Sequence, residues 1–290
     1  MSNKKTPSCF FPSAAEDAKH ACQSEKTHDT YRLAYSDDGF LLRDDLQAVR
    51  LQLEWLKPDI LQEEQGIEST VVIFGGARFC EPDKANMKLE EANKALALSP
   101  SDEQLILAHR KAKTLVKNSR YYDDAHRLSK KITRKSLDNG GNEYVIVTGG
   151  GPGVMEAANR GAFDLGGKSI GLNIVLPFEQ VPNQYITPEL CFQFHYFALR
   201  KMHFLKRAVA LIAYPGGFGT LDELFETLTL IQTRKIKPLP VVLIGKEYWN
   251  RLIDFNFLVE EGAITKEDLA LFKIVDHAEE AWDVLKDSWD

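Results

Sequence analysis

The sequence predicts an α/β fold, a mostly parallel sheet with helices on both faces, preceded by an N-terminal helical extension. Three observations predict it. Short apolar runs rich in β-branched residues alternate with helical patterns along most of the chain. The runs are apolar at every position, as strands buried between two helix layers are. Three of them stop at glycine clusters, which is where such sheets place their ligands.

Residues 1–38 are polar, mixed and without a sustained period, which predicts a poorly ordered or loosely docked arm. Residues 39–290 read as a single domain. Its first element is helical: Leu46, Val49, Leu53 and Leu56 recur at helical spacing, and Pro58 and Gly66 predict one helix followed by a short second one. Thr70 to Phe74 is the first buried strand, ending at Gly75-Gly76. The polar stretch of about 81–139 is a helical insertion, broken near Ser99-Pro100-Ser101, with Ser101 expected to cap its second helix. Strand, glycine turn and helix then repeat. Strands are expected at Tyr144–Thr148, within KSIGLNIVL, at Cys191–Phe194, at Ala208–Ala213, at Leu239–Gly245 and near Ile274. Helices are expected from Val154 to Leu165, after Phe194 and after Gly219.

The 290 residues are 44% hydrophobic and 27% charged, enough to fill a sizeable core. A net charge of −6 offers no global field for nucleic acid or anionic lipid. No run approaches the roughly 20 apolar residues of a membrane-spanning helix. Cys9, Cys22, Cys80 and Cys191 are scattered without metal-ligand spacing, so they read as free thiols in a reducing, cytoplasmic compartment, and no metal site is expected.

The glycine clusters carry the chemistry. Gly75-Gly76, Gly149-Gly150-Gly151-Pro152-Gly153 and Pro215-Gly216-Gly217-Phe218-Gly219-Thr220 all follow predicted strands. Glycine lets a backbone approach a ligand closely. A glycine turn opening a helix also presents free amides and the positive end of the helix dipole, a natural seat for phosphate. Neither long cluster matches a standard fingerprint. The Walker pattern is absent, and Val154 stands where GxGxxG needs its third glycine. A nucleotide ligand on a Rossmann-like fold is therefore expected, and a redox dinucleotide is not.

GGGPGVMEAANRGA (149–162), LRK (199–201) and PGGFGTLDE (215–223) resemble the Lonely Guy (LOG) phosphoribohydrolases, proteins long labelled possible lysine decarboxylases. The resemblance covers about Thr70 to Gly262, excluding the polar stretch before Glu143, and its signature is PGGxGTxxE preceded by an Arg-Lys pair and a GGxxGxM turn. It implies a Rossmann-like enzyme, a homodimer or higher homo-oligomer, that releases free base and ribose 5-phosphate from a nucleoside 5′-monophosphate such as AMP or a cytokinin riboside 5′-monophosphate. It also implies Arg200 and Glu223 as catalytic residues, with Lys201 as partner of the arginine. Gly75, Gly150, Gly151, Gly153, Met155, Gly216, Gly217, Gly219 and Thr220 complete the expected substrate site, and no cofactor is expected. Two departures stand out: the first turn reads FGGAR where smaller members carry a GSS-type sequence, and the arm and helical insertion resemble a larger subgroup.

Structural readings compete at each position. Thr220-x-x-Glu223 also has the spacing of a capping box, and spacing alone favours that reading until the preceding PGGxG and the Arg-Lys pair reverse it. Arg200 and Lys201 also suit a solvated helix face, Met155 a core position, and Glu156 a helix-start charge. His195 and His203 read as hydrogen-bonded structural residues, and Tyr248 and Trp249 as core cover. Lysine decarboxylation would need a Schiff-base lysine for pyridoxal phosphate, and no lysine motif suggests one. The alternative function on the same fold is a non-catalytic nucleotide-binding or cofactor-carrier protein.

Overall fold

Seven strands form one sheet: β1 (Thr70–Phe74), β2 (Val145–Thr148), β3 (Ser169–Ile174), β4 (Cys191–Phe194), β5 (Ala208–Ala213), β6 (Val241–Ile244) and β7 (Lys273–Val275). Their order is β4-β3-β2-β1-β5-β6-β7, and every neighbouring pair is parallel. The computed structural model describes residues 12–21, 28–177 and 181–289. Cys9 and Cys22 lie outside them; Cys80 and Cys191 are free thiols.

The helices, in chain order, begin with α1 (Ala14–His20), α2 (Asp38–Leu41), α3 (Gln47–Glu64), α4 (Pro82–Leu98) and α5 (Glu103–Asp138). They continue with α6 (Val154–Phe163), α7 (Phe197–Lys206), α8 (Phe218–Gln232), α9 (Lys246–Leu252), α10 (Phe255–Glu260) and α11 (Ala278–Trp289). The chain divides into two compact units, Met1–Glu54 and Trp55–Asp290. In the first, of whose expected arm residues 1–11 and 22–27 lie outside the described residues, Ser13 and Glu16 form a capping box on α1. Arg50 donates to the carbonyls of Leu41 and Arg43 at 2.8 and 2.5 Å.

The second unit holds the sheet, and side-chain alternation along its strands builds two cores. Val71 and Ile73 of β1 join Leu128 and Ile132 of α5, Ala157 and Ala158 of α6 and Leu285 of α11 on one face. Val72 and Phe74 join Phe204 of α7, Leu224 of α8 and Trp249 of α9 on the other. Burial on both faces is why these strands carry no polar alternation. The sheet is thus a Rossmann-like α/β sheet with helices on both faces, as the sequence predicts.

Several boundaries shift by a residue or two, and two differ for identifiable reasons. Pro58 does not end the first helix: α3 runs unbroken to Glu64. A proline forfeits one backbone bond. Asp59 next to it is anchored by Lys206 at 2.5 Å and Arg207 at 2.6 Å, which holds the last two turns in place. The second insertion helix is capped by Asp102 and not by Ser101; the Asp102 carboxylate accepts from the amides of Gln104 and Leu105 at 2.8 and 3.2 Å.

Candidate active site

β1 is central, and strand order reverses between it and β5, so the carboxyl ends of β2, β1 and β5 meet at the switch point where α/β sheets bind ligands. All three glycine clusters fall there. A cavity of about 240 Å³ opens among them. Of the expected site residues, Gly75, Met155, Arg200, Gly217, Gly219, Thr220 and Glu223 line it. Gly150, Gly151, Gly153, Gly216 and Lys201 do not.

The Gly149–Gly153 turn is held from several sides. Gly150 and Gly153 have φ of +74° and +77°, conformations that favour glycine. A Cβ on Gly153 would strike the Gly76 carbonyl, and one on Gly150 the side chain of Asn173. The Asn183 amide donates to the carbonyls of Gly150 and Gly151 at 3.1 Å each and to Asn159 at 2.9 Å. Thr148 donates to Asn159 at 2.7 Å and accepts from the Gly150 amide at 3.0 Å. A side chain at Gly149 would meet the Arg200 guanidinium at 2.7 Å, so this glycine admits the arginine to the cavity wall.

The Gly216–Gly219 turn is tied at its start by a tyrosine and at Gly217 by the amides of Thr220 and Leu221. The Tyr248 hydroxyl donates to the Gly216 carbonyl at 2.5 Å, and the place of a Gly216 side chain is filled by Thr220. Nothing lies within 4 Å of where a Cβ would stand on Gly217 or Gly219. Gly217 is the N-cap of α8, and no side chain caps that helix. Thr220 therefore sits inside α8, not at its cap. The capping-box reading of Thr220 and Glu223 fails, because the glycine starts the helix before Thr220.

Glu223 is only 7% exposed, and its carboxylate makes no hydrogen bond or ion pair with a described residue. Burial pushes its pKa up to about 7, although the charges of Lys201 and Arg200 pull the other way. Arg200 is held below the usual arginine range by burial, offset by the Glu223 charge. Its Nε donates to the Leu172 carbonyl at 2.7 Å, which turns the guanidinium toward the glycine turns. Lys201 pairs with Asp222 at 2.9 Å and Glu226 at 3.1 Å. Its ammonium thus neutralises the carboxylates on either side of Glu223 along α8.

Other residues settle into structure. His203 is buried between the rings of Trp55 and Phe194, 4.8 and 5.5 Å away. Glu156 accepts from the Tyr122 hydroxyl at 2.8 Å. Trp249 is core and Tyr248 packs against it, as read from sequence, and the Tyr248 hydroxyl also ties down a glycine turn. Phe197 and Asp222, which sequence reasoning did not single out, line the cavity. Among the described residues, no three His, Cys, Asp or Glu side chains gather as a metal site, and no helix is long and apolar enough to cross a membrane.

Comparison with known proteins agrees with the motifs. The family model described as "Possible lysine decarboxylase" matches residues 155–285. A probable cytokinin riboside 5′-monophosphate phosphoribohydrolase of Oryza sativa subsp. japonica is 29% identical over 58% of this chain and 76% of its own length. Two cytokinin riboside 5′-monophosphate phosphoribohydrolases of Arabidopsis thaliana are 34% and 32% identical, over 50% and 51% of this chain. The match spans 65% and 66% of those two relatives, just under two thirds. Among solved structures, the molybdenum cofactor binding protein of Rippkaea orientalis aligns at 17% identity with a TM-score of 0.46, over 77% of this chain and 98% of that one. That likeness is too slight to bear on function.

Proposed function

We propose that this chain belongs to the LOG family, a reading supported by its motifs, the family model and the curated relatives, and that it hydrolyses the N-glycosidic bond of a nucleoside 5′-monophosphate. AMP and cytokinin riboside 5′-monophosphates are the substrates proposed, with free base and ribose 5-phosphate as products. One observation carries the reading: a buried carboxylate, Glu223, and a half-buried guanidinium, Arg200, flank a small cavity floored by an uncapped helix start.

The phosphate is assigned to the Gly217–Thr220 turn, where the first amides of α8 and its dipole favour an anion. The cavity is smaller than the roughly 300–1,000 Å³ of pockets that enclose a whole ligand. That suits the ribose phosphate end, with the base directed toward Met155 and Phe197. As the bond to C1′ breaks, the base leaves with the bonding electrons and the ribose becomes cationic. Ionised Glu223 stabilises that cation or takes the proton of the attacking water. Arg200 faces the charge that builds on the leaving base or on the sugar oxygens. In water-poor surroundings both interactions are stronger than at a surface.

A homodimer or higher homo-oligomer belongs to the same proposal. It is supported by the exposed apolar side chains Phe197, Met202, Phe218 and Phe225 on α7 and α8, since surfaces of this kind mark association sites.

Chromatography after incubating the purified chain with AMP, other nucleoside monophosphates and isopentenyladenosine monophosphate tests the reaction. Free base with ribose 5-phosphate is the expected outcome and ranks the substrates. Nucleotides that bind but stay intact would overturn it in favour of a carrier.

A further inference from the structure

The helical insertion holds a second cavity that the proposed reaction does not use. It lies between α4 and α5 and measures about 800 Å³, within the roughly 300–1,000 Å³ range of small-molecule sites. The sequence makes room for it. Ala92 and Ala95 of α4 and Ala108 and Ala112 of α5 face it, where larger side chains would let the helices close. The hairpin is thinly packed here: α4 buries only Ala85, and α5 buries only Ala112 before Ser119. From Ser119 onward the same helix is embedded in the main core.

Its charges are arranged around that apolar floor. Arg78, Lys88, Arg110 and Lys111 line the cavity against a single carboxylate, Glu91. None of the four cations forms an ion pair with a described residue. Elsewhere on α5, Lys117 pairs with Glu247 and Arg127 with Asp124. All four are exposed and line the same groove with one carboxylate between them, so an anionic head group would meet complementary charge there.

We propose that the α4–α5 groove is a binding site for an anionic amphiphile, a phosphate or carboxylate head on an aliphatic body. The alanine methyls and Leu115 fit an aliphatic chain. Phe79 at the end of the groove already packs on Tyr121, at 5.9 Å between ring centroids, and is not left free as a stacking platform. The head group sits at Arg78, Lys88, Arg110 and Lys111.

Isothermal titration of the full chain with decyl phosphate, below its micelle concentration, tests this. The readout is heat of binding, so it stands or falls independently of nucleotide hydrolysis. One saturable site per chain is expected, in the micromolar range typical of modest complexes, about −8 kcal/mol. Ala108→Trp, at an exposed position that fills the groove, is expected to weaken binding about tenfold or more. The exposed pair Arg110→Glu with Lys111→Glu should do the same without disturbing the fold. Decanol and inorganic phosphate, each carrying half of the chemistry, should bind at least about tenfold more weakly than decyl phosphate. Absence of a saturable heat, or an affinity unchanged in both variants, would overturn the proposal. So would sedimentation showing that Ala108→Trp breaks an oligomer, because the occupant would then be a second copy of the chain.

Discussion

The two long glycine turns look alike in sequence and differ in what their glycines do. In Gly149–Gly153, Gly149, Gly150 and Gly153 make room for protein: Arg200, Asn173 and the Gly76 carbonyl stand where side chains would go. In Gly216–Gly219, Gly217 and Gly219 make room for nothing present, and open space lies where their side chains would stand. The first turn is therefore a piece of architecture that positions Arg200. The second is open surface, and the proposed reaction seats the phosphate on it. A glycine cluster at a strand end thus announces close approach without saying whether protein or ligand approaches.

The largest expected effect belongs to the helix that the open turn starts. Glu223→Gln keeps shape and removes the charge, so nucleotide binding should persist while turnover falls by about 10²–10⁴-fold, the usual share of a general acid–base group. Steady-state kinetics with AMP, beside a binding titration, would measure both. Turnover within a few-fold of the parent would remove Glu223 from the mechanism.

The comparison itself can be broken with two alanines. Gly153→Ala adds a strained φ of +77° and a clash with the Gly76 carbonyl, so it should cost about 2–4 kcal/mol, and melting should drop by several degrees. Gly217→Ala has no such penalty, because its φ is −95° and the space is empty. Its melting temperature should move by no more than about 2 °C while KM for the nucleotide rises about tenfold. Equal destabilisation by both would mean that the turns do not differ in kind.

The pH dependence sharpens the role of the open turn's carboxylate. Burial holds Glu223 up to about 7 against an ordinary value of 4.5. The working form in the proposed reaction is ionised, so kcat/KM should climb about tenfold between pH 6 and pH 8. Stability runs the opposite way. The folded state holds a proton that the unfolded chain has released, so stability falls as pH rises from 4.5 to about 7. Thermal melts of Glu223→Gln should accordingly gain on the parent above pH 7. A variant that loses stability there would contradict the burial argument.

Much of this was legible in the residues, for physical reasons. Runs such as Thr70–Phe74 and Ala208–Ala213 announce themselves because both faces are buried, so no polar residue interrupts them. Arg200, Met155 and Glu223 were reachable because their motifs are local. A cap misled where two candidates stood side by side, Ser101 and Asp102. Long-range tethers left no local trace. Asn183 reaches Gly150 and Gly151 across more than thirty positions, and Tyr248 reaches Gly216 across 32. Nothing in the local spacing of either residue marks it. The alanines of α4 and α5 read as ordinary helix formers until the two helices face each other.

The smallest expected effect tests the tyrosine tether of the open turn. Tyr248→Phe removes the hydroxyl that donates to the Gly216 carbonyl at 2.5 Å and keeps the ring in place. A neutral hydrogen bond of this sort contributes about 1 kcal/mol net. The carbonyl it leaves belongs to the residue that precedes the amides proposed to hold the phosphate, so the loss should loosen the turn more than the fold. KM is expected to rise about three- to fivefold with kcat unchanged, the pattern of weakened uniform binding. A fall in kcat at constant KM would instead tie Tyr248 to the transition state. The turn would then be less passive a cradle than its empty glycines imply.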